Sequence, residues 1–278
     1  MSSRSLLVVD ADPAVQKLLQ GILARDDRAI QGAADGREGL SFLKDCDCGV
    51  IVAGQGRNGF DAFKWLRKAR AIRPDARVIL AGEANPAAAV RAIRERAFGY
   101  VHKPLTEHAV TELVQQAFDT DSWQNDLRLI SSRPEWVTLD IRCKLSAADR
   151  ATHFMREIIS TLPQRAREDI AAAFRELLLN GIEHGAKSDP RKHVRASVIR
   201  ASRAVIVQLH DPGKGFSLDL LPHAAISNPA DSPVRHVEFR EEHGQRPGGF
   251  GILMTRNMVD DLLYNERGNA VLFVKYLR

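Results

Sequence analysis

Three polar side chains spaced four residues apart give the first chemical signal in this sequence. Glu176, Asn180 and His184 follow one another at this interval in a stretch that is otherwise rich in leucine and alanine. An α-helix places residues at this spacing on one face. A buried helix face normally carries leucine or alanine, so three hydrogen-bonding groups in a row indicate a bound ligand. Considered alone, the pattern also fits a polar face turned to water.

Two glycine-containing motifs follow this helix. Asp211-Pro-Gly-Lys-Gly-Phe216 comes after a strand-like stretch, and its carboxylate can accept a hydrogen bond from an amino group while its glycines allow a close turn. Arg246-Pro-Gly-Gly-Phe-Gly251 leads into a helix, whose first backbone N–H groups favour phosphate oxygens. Neither motif is a P-loop, and neither is specific alone. The ordered trio predicts a nucleotide site.

The trio resembles the GHKL ATPase fold of gyrase, Hsp90 and histidine kinases, and more closely the bacterial anti-sigma-factor serine kinases. The matching stretches are Glu176-Leu-Leu-Leu-Asn-Gly-Ile-Glu-His-Gly185, Asp211-Pro-Gly-Lys-Gly-Phe216 and Gly248-Gly-Phe-Gly251. The resemblance covers residues 136–278, nearly a whole domain. It implies an α+β sandwich, in which helices cover one side of a mostly antiparallel sheet.

The resemblance also implies roles for individual residues around ATP and Mg²⁺. Asn180 would bind Mg²⁺ through its side-chain oxygen, Asp211 would accept from the adenine amino group, and Glu176 would be the general base. The remaining expected contacts are Gly213 and Gly215 at the base pocket, Gly249 and Gly251 at the phosphates, and His184 as a support for the phosphate end. A purely structural role for His184 stays open.

The long segment 216–247 lies between the two glycine motifs and contains four prolines. A loop of this length inside a compact domain is usually functional or disordered. We expect it to form a lid over ATP, with one of Arg235, Arg240 and Arg246 reaching the triphosphate.

The first 120 residues alternate short apolar runs with amphipathic helical patterns. Leu6–Val9, Val50–Val52, Arg77–Leu80 and Tyr100–Val101 are the apolar runs, and a weak strand near Ala29 completes five strand–helix units. This alternation predicts a parallel sheet covered by helices on both faces. We place a linker at residues 121–135, before a half-buried strand begins at Trp136.

Residues 1–120 resemble the receiver domains of bacterial response regulators, which have a five-stranded, flavodoxin-like fold. The resemblance rests on Val8-Val-Asp-Ala-Asp-Pro13, Asn58-Gly-Phe60 and Gly99-Tyr-Val-His-Lys-Pro104. Asp10 and Lys103 match the family's metal-binding acid and phosphate-contacting lysine, whereas Ala11 and Ala81 replace an acidic residue and a Ser or Thr. No Asp or Glu lies between Cys48 and Phe60, and Ala53 occupies the expected phosphoacceptor position. We therefore predict a receiver that is not phosphorylated and serves in docking, regulation or dimerisation, or remains as a spacer.

Composition limits the class of protein. The 278 residues are 44% hydrophobic and 27% charged, which suits two globular domains. The net charge of +5 divides into +2 for residues 1–120 and +3 for the remainder, without the concentrated basic face that direct nucleic-acid binding uses. With three cysteines and no apolar run long enough to cross a membrane, we expect a cytoplasmic protein.

These observations predict an ATP- and Mg²⁺-dependent serine/threonine protein kinase of the anti-sigma-factor type. Its partners would be a small anti-sigma antagonist and a sigma factor, and a homodimer is possible. The alternative is a docking module whose shape ATP controls without phosphate transfer, although such a module has no need of the base Glu176. A histidine kinase is disfavoured because residues 121–145 do not suit a helical hairpin and His153 is the one candidate acceptor.

Overall fold

A computed structural model describes most of the chain. The described residues are 4–24, 28–45, 48–55, 60–133, 135–215 and 251–277. The chain forms two compact units, one made of residues 1–125 with 153–161 and the other of residues 126–152 with 162–278. No helix among the described residues is both long enough and apolar enough to cross a bilayer.

The first unit contains the five predicted strand–helix pairs. The elements are β1 (Arg4–Val9), α1 (Pro13–Leu23), β2 (Arg28–Ala33), α2 (Gly36–Asp45), β3 (Val50–Gly54), α3 (Ala62–Ile72), β4 (Arg77–Gly82), α4 (Pro86–Arg94), β5 (Gly99–His102) and α5 (Glu107–Asp119). Helices α1, α3, α4 and α5 begin at side-chain caps from Asp12, Asp61, Asn85 and Thr106. Each cap satisfies an otherwise unpaired N–H group and so marks where its helix starts.

The five strands form one parallel sheet in the order β2-β1-β3-β4-β5. Alternate residues of the central strands point to the same face, where Val8, Val52, Ile79 and Val101 join a buried cluster with α1 and α5. The predicted flavodoxin-like class is confirmed for this unit. Because side chains alternate between the two faces along each strand, this alternation decides which residues meet at the carboxyl edge of the sheet.

The second unit is built on a six-stranded sheet in the order β10-β11-β9-β8-β7-β6, in which every pairing is antiparallel. The strands are β6 (Leu127–Arg133), β7 (Trp136–Arg142), β8 (His193–Arg200), β9 (Ala204–His210), β10 (Asp261–Tyr264) and β11 (Ala270–Tyr276). Its helices are α7 (Gln164–Asn180), which a π turn at Gly181–Gly185 continues, α8 (Gly251–Met258) and the first part of α6 (Leu145–Ile158). The α+β class is confirmed.

Two predicted boundaries differ from the structure. Residues 127–133, which we assigned to a linker at 121–135, form the edge strand β6 and pair with β7 through a register shift between Leu129 and Ser131. Most of this strand is exposed, so its sequence lacks the apolar run that marks a central strand. The second unit therefore begins at Asp126 instead of residue 136, and residues 153–161 group with the first unit.

Candidate functional site

Helix α7 carries the polar face predicted from the sequence. Glu176 and Asn180 both lie in this α-helix and are half-buried, while its other inward positions, such as Ala173 and Leu177, are buried. His184 lies beyond the α-helix, in the π turn, and is exposed. Hydrogen bonds in a π turn join residues five apart instead of four. His184 is therefore shifted from the position above Glu176 and Asn180 that a continued α-helix would give it. The structure therefore keeps two of the three residues on one α-helical face.

Asp211 lies directly after β9, against the π turn. A Cβ atom added to Gly185 would collide with Oδ1 of Asp211, and one added to Gly181 would lie 3.3 Å from the Asp211 Cβ. The Gly213 N–H group donates a hydrogen bond of 2.7 Å to the same Oδ1. Burial raises the pKa of Asp211, although the Gly213 N–H lowers it in part. The glycines thus let a half-buried carboxylate lie against the end of α7.

The hairpin between β10 and β11 supports the Asp211 loop from the other side. The Asp211 N–H donates to the Asn269 carbonyl at 3.0 Å, and Arg267 Nε donates to the Lys214 carbonyl at 3.2 Å. Asn269 is buried, and its side chain bonds with Asn265 and His210. Gly215 has a φ of 84°, and a Cβ there would strike the Arg267 carbonyl oxygen. The loop conformation therefore depends on glycine at position 215.

Helix α8 begins against the acidic side chain of α7. A Cβ atom on Gly251, the first residue of α8, would occupy the position of Glu176 Oε1 and would lie 2.6 Å from its Cδ. Burial, followed by the negative charge of Glu176, raises the pKa of Tyr264 to about 12, so the phenol stays neutral beside the carboxylate. The N-terminus of α8 and the Glu176–Asn180 face therefore adjoin one another.

Several predicted site residues lie outside the described part of the chain. These are Gly249 and the whole predicted lid, with Arg235, Arg240 and Arg246. Among the described residues no cluster of three or more His, Cys, Asp or Glu side chains could hold a metal ion by itself. An Mg²⁺ site completed by substrate phosphates and water needs only one or two protein ligands, so Asn180 remains compatible with that role.

At the carboxyl edge of the receiver sheet, the residue that faces Asp10 is not the one predicted from the sequence. Asp10 is buried, and its Oδ2 accepts a hydrogen bond of 3.0 Å from Lys103 Nζ. A Cβ atom on Gly54 would collide with that same oxygen. Gly54 lies two residues after Val52 on β3, so the two residues share one face of the sheet. Gly54, and not Ala53, therefore occupies the place opposite Asp10. The expectation that no phosphoacceptor carboxylate is present there is unchanged.

Sequence reasoning missed several residues of the ATPase-like site. Gly185 ends the Glu176–Gly185 motif, but its close approach to Asp211 depends on how the π turn meets β9. Asn269 and Tyr264 belong to the last hairpin and contribute through tertiary contacts. The available signal is Arg267-Gly-Asn269, a turn sequence between two apolar runs, which indicates a hairpin but not that the hairpin contacts the Asp211 loop.

Comparison with known families agrees with both units. Residues 6–115 match the response regulator receiver domain, and residues 141–275 match the histidine kinase-like ATPase domain. The chain therefore carries one domain of each kind.

Individual relatives match a smaller part of the chain. It is 29% identical over 114 residues to the C4-dicarboxylate transport transcriptional regulatory protein DctD of Rhizobium meliloti, covering 41% of this chain and 24% of that protein. It is 27% identical over 126 residues to the DNA-binding transcriptional regulator NtrC of Azospirillum brasilense, covering 44% and 26%. The chain thus spans about a quarter of the length of these relatives.

A solved receiver domain protein of Methanospirillum hungatei is 24% identical to the chain. The match has a TM-score of 0.40 and covers 42% of this chain and 95% of the other.

Proposed function

We propose that this chain, which joins a response regulator receiver domain to a histidine kinase-like ATPase domain, is an ATP- and Mg²⁺-dependent serine/threonine protein kinase of the anti-sigma-factor type. Its substrate would be a small anti-sigma antagonist protein, and it would also bind a sigma factor. The observation that carries the proposal is the position of the Glu176 carboxylate, which lies against the first residue of α8 and on the same helix as Asn180.

The arrangement of α7 and α8 suits a transferred phosphoryl group. Backbone N–H groups at the start of α8 can donate to phosphate oxygens, and the amide oxygen of Asn180 is a suitable ligand for Mg²⁺. Phosphoryl transfer depends on positioning and charge neutralisation, which ATP-bound Mg²⁺ supplies. Glu176 lies directly beside the α8 N-terminus and would accept the proton of an incoming serine hydroxyl.

The Asp211 loop suits the adenine base of ATP. Its Oδ1 already accepts from Gly213, so Oδ2 is the oxygen that would accept from an exocyclic amino group. The Gly185 and Gly213 backbones approach each other closely beside this carboxylate, where neither position has room for a side chain. Together with the phosphate end at α8, the Asp211 carboxylate supports adenine nucleotides as the cofactor class.

The receiver would act through protein contacts and not through its own phosphorylation. The Asp10 carboxylate is bonded to Lys103 and fills the space next to Gly54, where the family's acceptor would stand. A receiver that lacks an acceptor carboxylate at this position would serve as a docking or regulatory domain.

The test uses the full chain as bait in an extract of its source cell, with and without MgATP. Captured proteins are then incubated with the chain and γ-labelled ATP, and phosphoserine is sought by mass spectrometry. The proposal expects a small captured protein to gain phosphoserine with wild type and not with Glu176→Gln. Capture that depends on ATP without any phosphate transfer would favour the ATP-controlled docking module.

A further inference from the structure

Lysine 275 lies on the final strand and bridges two helices of the proposed site. Its Nζ donates a hydrogen bond of 2.7 Å to Asp169 Oδ2 on α7 and another of 2.6 Å to the carbonyl oxygen of Met258, the last residue of α8. The Lys275 side chain is 19% exposed and that of Asp169 is 25% exposed, so the ion pair is only partly screened by solvent.

The contacts at the two ends of α8 are equally far apart on α7 and on α8. Gly251 touches Glu176 at one end, and Met258 shares Lys275 with Asp169 at the other. Both intervals, 169 to 176 and 251 to 258, contain eight residues, and the seven steps between their ends span about 10 Å of helix. The two helices therefore lie side by side and antiparallel, fixed at both ends.

Asp169 lies on the face of α7 that carries the site. Positions 169, 173, 176 and 180 follow the spacing i, i+4, i+7 and i+11, which an α-helix brings to one side. Ala173, between the two ends, is fully buried and is small enough to let α8 approach. The charge of Lys275 also complements the negative end of the α8 dipole.

We propose that Lys275 is a positioning residue, which holds the N-terminus of α8 at the distance from Glu176 and Asn180 that a nucleotide phosphate requires. The inference rests on the proposed function, because it assigns the phosphates to this helix end. Lys275 acts through α8 and does not itself touch the nucleotide. Loosening it should therefore affect binding of the phosphates and spare binding of the base and ribose.

Calorimetry with MgATP and with adenosine tests this division. Lys275→Met and Asp169→Asn should each weaken MgATP binding about tenfold, the scale of one weakened hydrogen bond from the α8 N-terminus to a phosphate, while adenosine binding stays near that of wild type. The matched control is Asp149→Asn, which removes another ion pair of α7, a contact of 2.8 Å with Arg175 that does not involve α8. That control should leave both affinities near wild type.

The two test variants change the net charge in opposite directions. A general electrostatic effect on an anionic ligand would weaken MgATP binding in Lys275→Met and strengthen it in Asp169→Asn. Positioning predicts that both weaken it. Affinities near wild type in both, changes of opposite sign, or an equal loss of adenosine binding would each overturn the inference.

A second measurement does not depend on nucleotide. Amide hydrogen exchange over residues 251–258 should be faster in Lys275→Met than in wild type, with α7 unchanged, and unaltered exchange in α8 would overturn the inference. Failure of wild type to bind MgATP would instead defeat the proposed function, so the two failures are distinguishable.

Discussion

Glu176 and Gly251 are in direct contact: the Glu176 Oε1 atom occupies the place that a Cβ atom at position 251 would take. A glycine here lets the start of α8 come closer to the carboxylate than any other residue would allow. This contact joins the expected base on α7 to the expected phosphate-binding helix end.

Gly251→Ala should therefore displace the Glu176 carboxylate and widen the gap between the helices. Because the displaced group is the end of a flexible side chain, the domain should still fold. We expect phosphate transfer to fall about 10²-fold or more, the scale of a misplaced general base, with a smaller loss of MgATP affinity. Steady-state kinetics and calorimetry measure the two effects.

The control for this change is Gly21→Ala in α1, where an added Cβ has no neighbour within 4 Å. Alanine in a helix interior should leave activity unchanged and stabilise the fold by about 0.5–1 kcal/mol. A Gly251→Ala variant as active as this control would refute the close contact.

Asp211→Asn should weaken MgATP binding yet stabilise the ligand-free protein at neutral pH. Burial raises the Asp211 pKa in the folded state, so the ionised carboxylate is held at a cost that neutral asparagine avoids. The cost is present above the raised pKa and disappears as the pH falls through it towards the unfolded value. Asparagine can still accept from the Gly213 N–H.

Thermal unfolding between pH 7 and pH 3 checks the sign. The variant should melt above wild type at pH 7, and the difference should shrink on acidification. A variant that melts lower at pH 7 would mean that the Gly213 hydrogen bond outweighs the cost of burial.

Lys103→Met should destabilise the receiver strongly, because it leaves the buried Asp10 carboxylate without its cation. Removing one partner of a buried pair typically costs about 3–5 kcal/mol. The double variant Asp10→Asn with Lys103→Met should recover much of this loss, since both charges are then absent. Denaturant unfolding of the four proteins in the cycle gives the coupling free energy, and additive losses would show that the pair is not coupled.

The receiver should not take up phosphate from acetyl phosphate with Mg²⁺. Gly54 stands where the acceptor carboxylate would be, and Asp10 fills the adjoining space. Intact-mass measurement should show no phosphoryl adduct on residues 1–120. An adduct released by hydroxylamine, as an acyl phosphate is, would contradict this prediction.

The sequence alone was sufficient to predict the strands and helices with strong hydrophobic periodicity and to identify the three motifs of the ATPase-like domain. Strands β8 and β9 show a sequence alternation that their burial matches, from His193 to Arg200 and from Ala204 to His210. Edge strand β6 was missed because its exposed residues carry no apolar run. Strand register is similarly hard to fix at the end of β3, where Ala53 and Gly54 are both small and neither bears a charge to mark it.

Tertiary contacts account for the rest. A lysine near the end of a last strand, such as Lys275, is indistinguishable in sequence from a solvated residue, and only the packing of α7 against α8 gives it two partners. The π turn that displaces His184 likewise has no sequence marker beyond the glycines that bound it.

The most direct test of the proposed kinase compares nucleotide binding with phosphate transfer in Glu176→Gln and Asn180→Ala. Glutamine keeps the size and hydrogen bonding of Glu176, so MgATP affinity should stay within a few-fold of wild type while transfer to the captured partner falls about 10²–10⁴-fold, the range of general-base catalysis. Asn180→Ala should reduce both, because a magnesium ligand is lost. Transfer by Glu176→Gln at the wild-type rate, or no transfer by wild type to any captured partner, would contradict the account.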